Sequence, residues 1–223
     1  MKKLLIFDAY GTLISTGNGS VKAAERILAL QDRVIDASAF YKEWKKLHRR
    51  HIDEAISGGF IPECEIFAED LRVLYERYGI KRPYIQDVQI MLDSLENRKI
   101  FAEVKDAVEE LRRQYRVVIG STTDTAPLLG NLRSNRLDVD AVYTSEMLRR
   151  YKPDPAFYRQ ILQCEGCEPE DAVFIGDSLQ DDVAGPAAVG ITTIWVNRKN
   201  QDSPPQAADY TVTDIGEIAA LDL

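Results

Sequence analysis

Several things are scarce in this chain, and each scarcity excludes something. Cysteine occurs three times in 223 residues, as Cys64, Cys164 and Cys167. So small and odd a set does not make a disulfide framework. Cys164 and Cys167 form a Cys-x-x-Cys pair, but no second pair exists, and the only two histidines, His48 and His51, are distant in sequence. The cysteines therefore read as reduced thiols, as expected of a cytoplasmic protein. No stretch approaches the roughly 18 apolar residues of a membrane span, so no membrane partner is expected. The apolar run near the start, Leu4 to Phe7, is too short for a signal-peptide core. Basic residues are outnumbered, 28 Lys+Arg against 36 Asp+Glu, for a formal charge of −8. That argues against nucleic acid as a partner, since such proteins show a basic surface. An anionic small molecule stays open, provided local cations, a metal or backbone N–H groups receive it.

What is present is a core. Hydrophobic residues make up 45% of the sequence, enough for one large domain, or a core plus a smaller unit. The pattern changes along the chain. Leu4-Leu5-Ile6-Phe7 reads as a short strand buried on both faces. Helical spacing then dominates from residue 17 to 97, over about 21–30, 38–56, 65–78 and 84–95, with no convincing strand. Beyond that, strands and helices alternate. Strands are expected at 116–120, 140–144, 172–176, 191–196 and 209–212. Helices are expected at 103–115, 125–135, 155–164, 181–189 and 215–221. Such alternation gives a parallel sheet. The expected fold is α/β, a three-layer Rossmann-like parallel sheet core (residues 1–15 and 98–223) with an inserted α-helical cap domain (16–97).

Four segments place polar groups just after a buried strand or in a loop before a helix. They are Asp8 in Phe7-Asp8-Ala9-Tyr10-Gly11-Thr12-Leu13; Ser121 in Ile119-Gly120-Ser121-Thr122-Thr123-Asp124; Lys152 in Tyr151-Lys152-Pro153-Asp154-Pro155; and Asp177 with Asp182 in Gly176-Asp177-Ser178-x-x-x-Asp182. In an open α/β sheet, groups at the carboxyl ends of the strands line one crevice. All four can therefore converge.

Their order and spacing resemble the haloacid dehalogenase superfamily, most of whose members are phosphatases. The resemblance covers most of the chain and implies roles for its residues. Asp8 would be the nucleophile, passing through an aspartyl-phosphate. Gly11, Thr12, Ser121 and Thr122 would hold phosphoryl oxygens through hydroxyl and backbone donors. Lys152 would offset the charge on Asp8 and the phosphoryl group. Mg²⁺ would be bound by Asp8, the backbone carbonyl of Tyr10, Asp177 and Asp182. Asp182 is favoured over its neighbour Asp181. The expected activity is hydrolysis of a small phosphorylated metabolite. Oligomeric state is left open.

Two residues depart from the phosphatase pattern. Tyr10 stands where the phosphatases carry an acid–base aspartate, and a phenol of pKa near 10 is a poor base at neutrality. Thr122 stands where Asn is common. Asp-x-Tyr-Gly-Thr is instead similar to the 2-haloacid dehalogenases, whose halide leaves without a proton, and Tyr158 fits those enzymes too. Against that alternative, Asp177 adds a carboxylate where their metal-free motif is neutral, and their cap arginine has only a loose counterpart in Lys42. A third alternative is a catalytically weak relative that binds phosphate or a partner. His48 and His51, flanking Arg49-Arg50, are expected to pack within the cap, with a solvated basic face.

Overall fold

The computed structural model describes residues 3–31, 34–202 and 208–223. In chain order the first elements are β1 (Leu4–Phe7), α1 (Gly19–Leu28), α2 (Ala37–Gly58), α3 (Glu63–Tyr78) and α4 (Tyr84–Leu95). Then come α5 (Val104–Leu111), β2 (Arg116–Ser121), α6 (Thr125–Asn135), β3 (Ala141–Thr144) and α7 (Ser145–Leu148). The chain continues through α8 (Pro155–Glu165), β4 (Ala172–Gly176), β5 (Thr192–Val196) and β6 (Tyr210–Val212). Two compact units result, one of residues 1–15 and 99–223, the other of residues 16–98.

The first unit is built on a six-stranded, wholly parallel sheet in the order β3-β2-β1-β4-β5-β6. β1 lies between β2 and β4, with Phe7 level with both Ile119 and Ile175. The strand order reverses between β1 and β4, and in such sheets ligands bind in the crevice at that point. Alternate residues serve opposite faces, as the period of two requires. Leu5, Phe7, Val117, Ile119, Val173 and Ile175 pack with Val104, Val108, Leu128 and Leu132 of α5 and α6. Leu4, Ile6, Val118 and Phe174 pack on the other face with Phe157, Ile161 and Leu162 of α8. Helices on both faces explain why these strands read as unbroken apolar runs.

Three expectations shift on contact with the structure. The helix expected at 103–115 ends at Leu111. The one expected at 181–189 is a wide π-helical turn, Leu179–Ala184, followed by a single turn, Gly185–Ala187. Pro186 explains the break, since it has no N–H to donate into an α-ladder. The last helix is a 3-10 segment, Ile215–Ala220.

The second unit contains α1 to α4. α2 packs on α1 and α3, and α4 on both of those. Its core includes Ala24, Ile27, Phe40, Trp44, Leu47, Leu71, Leu74 and Met91. Trp44, His48 and His51 fall on one face of α2, as positions i, i+4 and i+7 must. All three meet Asp70, which is fully buried. Trp44 Nε1 donates to it at 3.1 Å, His48 Nδ1 at 2.7 Å and His51 Nδ1 at 2.6 Å. Burial pulls the His48 pKa down, but hydrogen bonds and charge from Asp70 and Glu63 outweigh it and raise it to about 9. Among the described residues no helix is long and apolar enough to cross a membrane.

Candidate active site

The site is built at the carboxyl ends of β1, β2 and β4. Asp8 directly follows β1, and its N–H donates to the Ile175 carbonyl at 2.8 Å, so the ladder holds as far as the carboxylate. Asp8 Oδ1 accepts from Lys152 Nζ at 2.7 Å and from Ser121 Oγ at 3.2 Å. Lys152 also donates to Asp182 Oδ1 at 2.7 Å, and Asp182 Oδ2 accepts from the Ser178 N–H at 2.9 Å. Lys152 is only 2% exposed. An ammonium that deep survives only if paired, and here two carboxylates pair it. Burial alone would lower its pKa, but Asp182 and Asp8 reverse this and hold it well above the usual lysine range.

Asp177 follows β4. Trp195 Nε1 donates to its backbone carbonyl at 3.0 Å, which fixes the turn from which its side chain projects. The loop after Asp8 passes directly against that side chain. Gly11 has φ +103, and a Cβ there would come within 2.5 Å of Asp177 Oδ2. Glycine is required on both counts. Gly176 is required for a similar reason, since a Cβ would overlap the Asp182 carboxylate.

Asp8, Asp177 and Asp182 each bring a carboxylate oxygen within 4.8 Å of the others. One ammonium cannot neutralise three carboxylates. The excess falls on Asp177, whose pKa is pushed up to about 6, first by burial and then by the charge of Asp8. Burial and Asp8 also push Asp182 up, against the pull of Lys152. An all-oxygen, anionic donor set of this kind suits a hard divalent cation.

Thr12 Oγ1 and Thr122 Oγ1 are buried and have no hydrogen-bond partner among the described residues. Buried hydroxyls are rarely left so. Tyr10 turns elsewhere. Its Oη accepts from Asn131 Nδ2 at 3.0 Å, and its ring packs against the apolar cluster under α6. Tyr158 is fully buried and donates to the Asp181 carbonyl at 2.5 Å. It thereby ties down the wide turn that points Asp182 at Lys152.

The structure thus brings together Asp8, Ser121, Lys152, Asp177 and Asp182, with Gly11 against Asp177. It gives Asp182, next to Asp181, the carboxylate that meets Lys152. Lys42 is exposed on α2, and the three cysteines are free thiols. Two neighbours of the site were not anticipated, Asn131 and Trp195. For Asn131 there was a signal: it sits between Leu128 and Leu132 on the apolar face of α6, where a polar residue needs a buried partner.

Comparison with known proteins places the chain in a family. The family model of the haloacid dehalogenase-like hydrolases matches residues 2–190. A ribulose-1,5-bisphosphate 5-phosphatase of Halopiger xanaduensis is 30% identical over 183 residues, covering 78% of this chain and 75% of that protein. An (S)-2-haloacid dehalogenase of Burkholderia cepacia is 24% identical over 206 residues, covering 90% and 84%. Among solved structures, a defluorinating L-2-haloacid dehalogenase superposes with a TM-score of 0.82 at 22% identity, over 98% of this chain and 94% of that one.

Proposed function

The chain belongs to the haloacid dehalogenase-like hydrolases, and from that premise we propose that it is a Mg²⁺-dependent phosphatase of small phosphorylated metabolites, working through an aspartyl-phosphate on Asp8. The observation that carries this reading is the surplus of carboxylate. Asp8, Asp177 and Asp182 crowd one place, and among the described residues Lys152 is the one ammonium paired with them, Lys199 acting on Asp177 through charge alone. Without a cation, one of them must hold a proton.

Each residue then has a task. Asp8 attacks phosphorus, a new O–P bond forms, and the bond to the leaving oxygen breaks with its electron pair. Lys152, shared by Asp8 and Asp182, holds the attacking carboxylate in place and offsets the charge of the transferred group. Ser121, Thr122, Thr12 and the loop at Gly11 supply donors to the phosphoryl oxygens. Water then attacks phosphorus, releasing inorganic phosphate and restoring Asp8. Mg²⁺, held by Asp8, Asp177 and Asp182 with the Tyr10 carbonyl, would supply positive charge to the phosphoryl oxygens. Asp182 also orients Lys152.

Tyr10 bears on the choice of substrate. A phenol tied to Asn131 is a weak proton donor, so leaving groups that need no proton are favoured, such as acyl and aryl phosphates or pyrophosphate. The same residue supports a second reading, hydrolysis of a 2-haloacid, in which halide departs unprotonated. One experiment separates them. Phosphate release from a panel of phosphate esters, with and without Mg²⁺, is measured beside halide release from a 2-haloacid. Mg²⁺-dependent phosphate release supports the phosphatase. Metal-independent halide release replaces it with the dehalogenase.

A further inference from the structure

We propose that Arg198 is a positioning residue for the loop that follows Asp8, an inference that rests on reading that loop as the cradle of the phosphoryl group. Arg198 lies two residues beyond β5, 186 residues from the loop it serves. Its Nη2 donates to the Thr12 carbonyl at 2.8 Å and to Glu103 Oε1 at 2.5 Å. The guanidinium carbon lies 3.8 Å from the centre of the Phe101 ring. Three groups from two distant segments thus fix one cation.

The end of the loop is tied to the segment before α5, where the Phe101 N–H donates to the Leu13 carbonyl at 3.1 Å and the Ser15 N–H to the Lys99 carbonyl at 2.8 Å, but these bonds do not reach its middle. Its own hydrogen bonds run from Gly11 N–H to the Ile14 carbonyl at 2.8 Å and from Leu13 and Ile14 N–H to the Ala9 carbonyl at 2.9 and 2.8 Å. At its middle stands Gly11, a residue free to adopt several backbone conformations. The Thr12 carbonyl is caught from outside, by Arg198. Because a peptide unit is planar, fixing that carbonyl also fixes the direction of the Leu13 N–H. The clamp therefore selects one geometry of the turn that carries Gly11 past Asp177. It does so at some expense to Arg198 itself, whose buried Nε has no hydrogen-bond partner among the described residues. The guanidinium thus sits where Thr12, Glu103 and Phe101 place it, rather than where its own donors are best satisfied.

Lysine cannot reproduce this. Both hydrogen bonds leave one nitrogen, which an ammonium could match, but an ammonium has no planar delocalised group to lie over the Phe101 ring while it bridges the two acceptors. The test uses the full chain and its Arg198→Met and Arg198→Lys variants, with p-nitrophenyl phosphate and Mg²⁺ as the activity probe. Amide hydrogen exchange is read over residues 9–14 and over β2 and β4. The expected result for Arg198→Met is a kcat about 10–100-fold lower with KM within about twofold, as for a small misplacement of groups around the reacting centre. Exchange is expected to quicken at residues 9–14 while β2 and β4 keep their protection. Arg198→Lys is expected to change in the same direction. Wild-type exchange at residues 9–14 in both variants would overturn the proposal. So would an equal loss of protection across β2 and β4, which would make Arg198 a general support of the fold. If the wild-type chain releases no phosphate at all, the phosphatase reading fails on its own, and the exchange comparison still decides for or against the clamp.

Discussion

The Oη of Tyr10 accepts a hydrogen bond of 3.0 Å from Nδ2 of Asn131, a side chain with no exposed surface. The residue that replaces the expected acid–base carboxylate is therefore held by α6. Its bulk fills a place under that helix, and its hydroxyl has a committed partner.

A Tyr10→Asp variant should gain activity on alkyl phosphates, by up to about 10²–10⁴-fold if the new carboxyl is well placed. Aryl phosphates, which leave without help, should change far less. The check is the ratio of kcat/KM for an alkyl and an aryl phosphate. An unchanged ratio would show that the missing acid does not limit the enzyme.

Lys152→Met should destabilise the protein by about 3–5 kcal/mol, because removing one partner leaves buried carboxylates unpaired. Urea unfolding in the presence of a chelator measures this. The deficit should shrink toward pH 5, where Asp182, whose pKa is raised by burial and by the charge of Asp8, can protonate. A deficit equal at pH 5 and pH 8 would mean that lost packing against Phe157 and Phe174, and not lost charge pairing, is responsible.

Asp177 gives a dependence on pH. Its pKa is raised to about 6, so the carboxylate is a net cost to the folded state above that pH and loses its proton to receive a cation. Stabilisation by Mg²⁺ should therefore be large at pH 8 and fade as the pH falls through 6. Melting temperatures with and without Mg²⁺ at the two values test this. Asp177→Asn should melt slightly higher than wild type without metal, by on the order of 1 kcal/mol, and should respond little to Mg²⁺.

In the helical unit the sign is opposite. The folded-state pKa of His48, at about 9, lies above the ordinary 6.5. Its contribution is fully present below about pH 6.5 and is lost as the pH rises through 9, amounting to as much as about 3 kcal/mol. The chain has two tryptophans, Trp44 in the helical unit and Trp195 at the end of the sheet. In a Trp195→Phe background, the urea midpoint followed by fluorescence should fall between pH 6.5 and 9.5. With His48→Gln added, it should stay flat.

Much of this was legible in the sequence because it follows from local rules. Unbroken apolar runs such as Leu4–Phe7 and Ala172–Gly176 announced strands covered on both faces, and the polar residues just beyond them announced one crowded edge. Helix boundaries at 84–95 and 125–135 followed from periodicity and turn residues. What escaped were effects of distance and crowding. The break in the helix after Asp181 depends on Pro186, and the shape of the turn on Tyr158 reaching the Asp181 carbonyl from α8. Asn131 and Tyr10 are 121 residues apart, and no periodicity joins them. Asp70 reads as an ordinary acidic position on a polar stretch of α3 until His48, His51 and Trp44 are brought onto it.

The central claim is that Asp8 carries the phosphoryl group during turnover. Acid quench of the enzyme during hydrolysis of acetyl phosphate, followed by peptide mass analysis, tests it most directly. The account predicts one phosphoryl group on the peptide containing Asp8, present with Mg²⁺, absent with chelator and absent in Asp8→Asn. An unmodified Asp8 peptide, together with metal-independent halide release from a 2-haloacid, would contradict it.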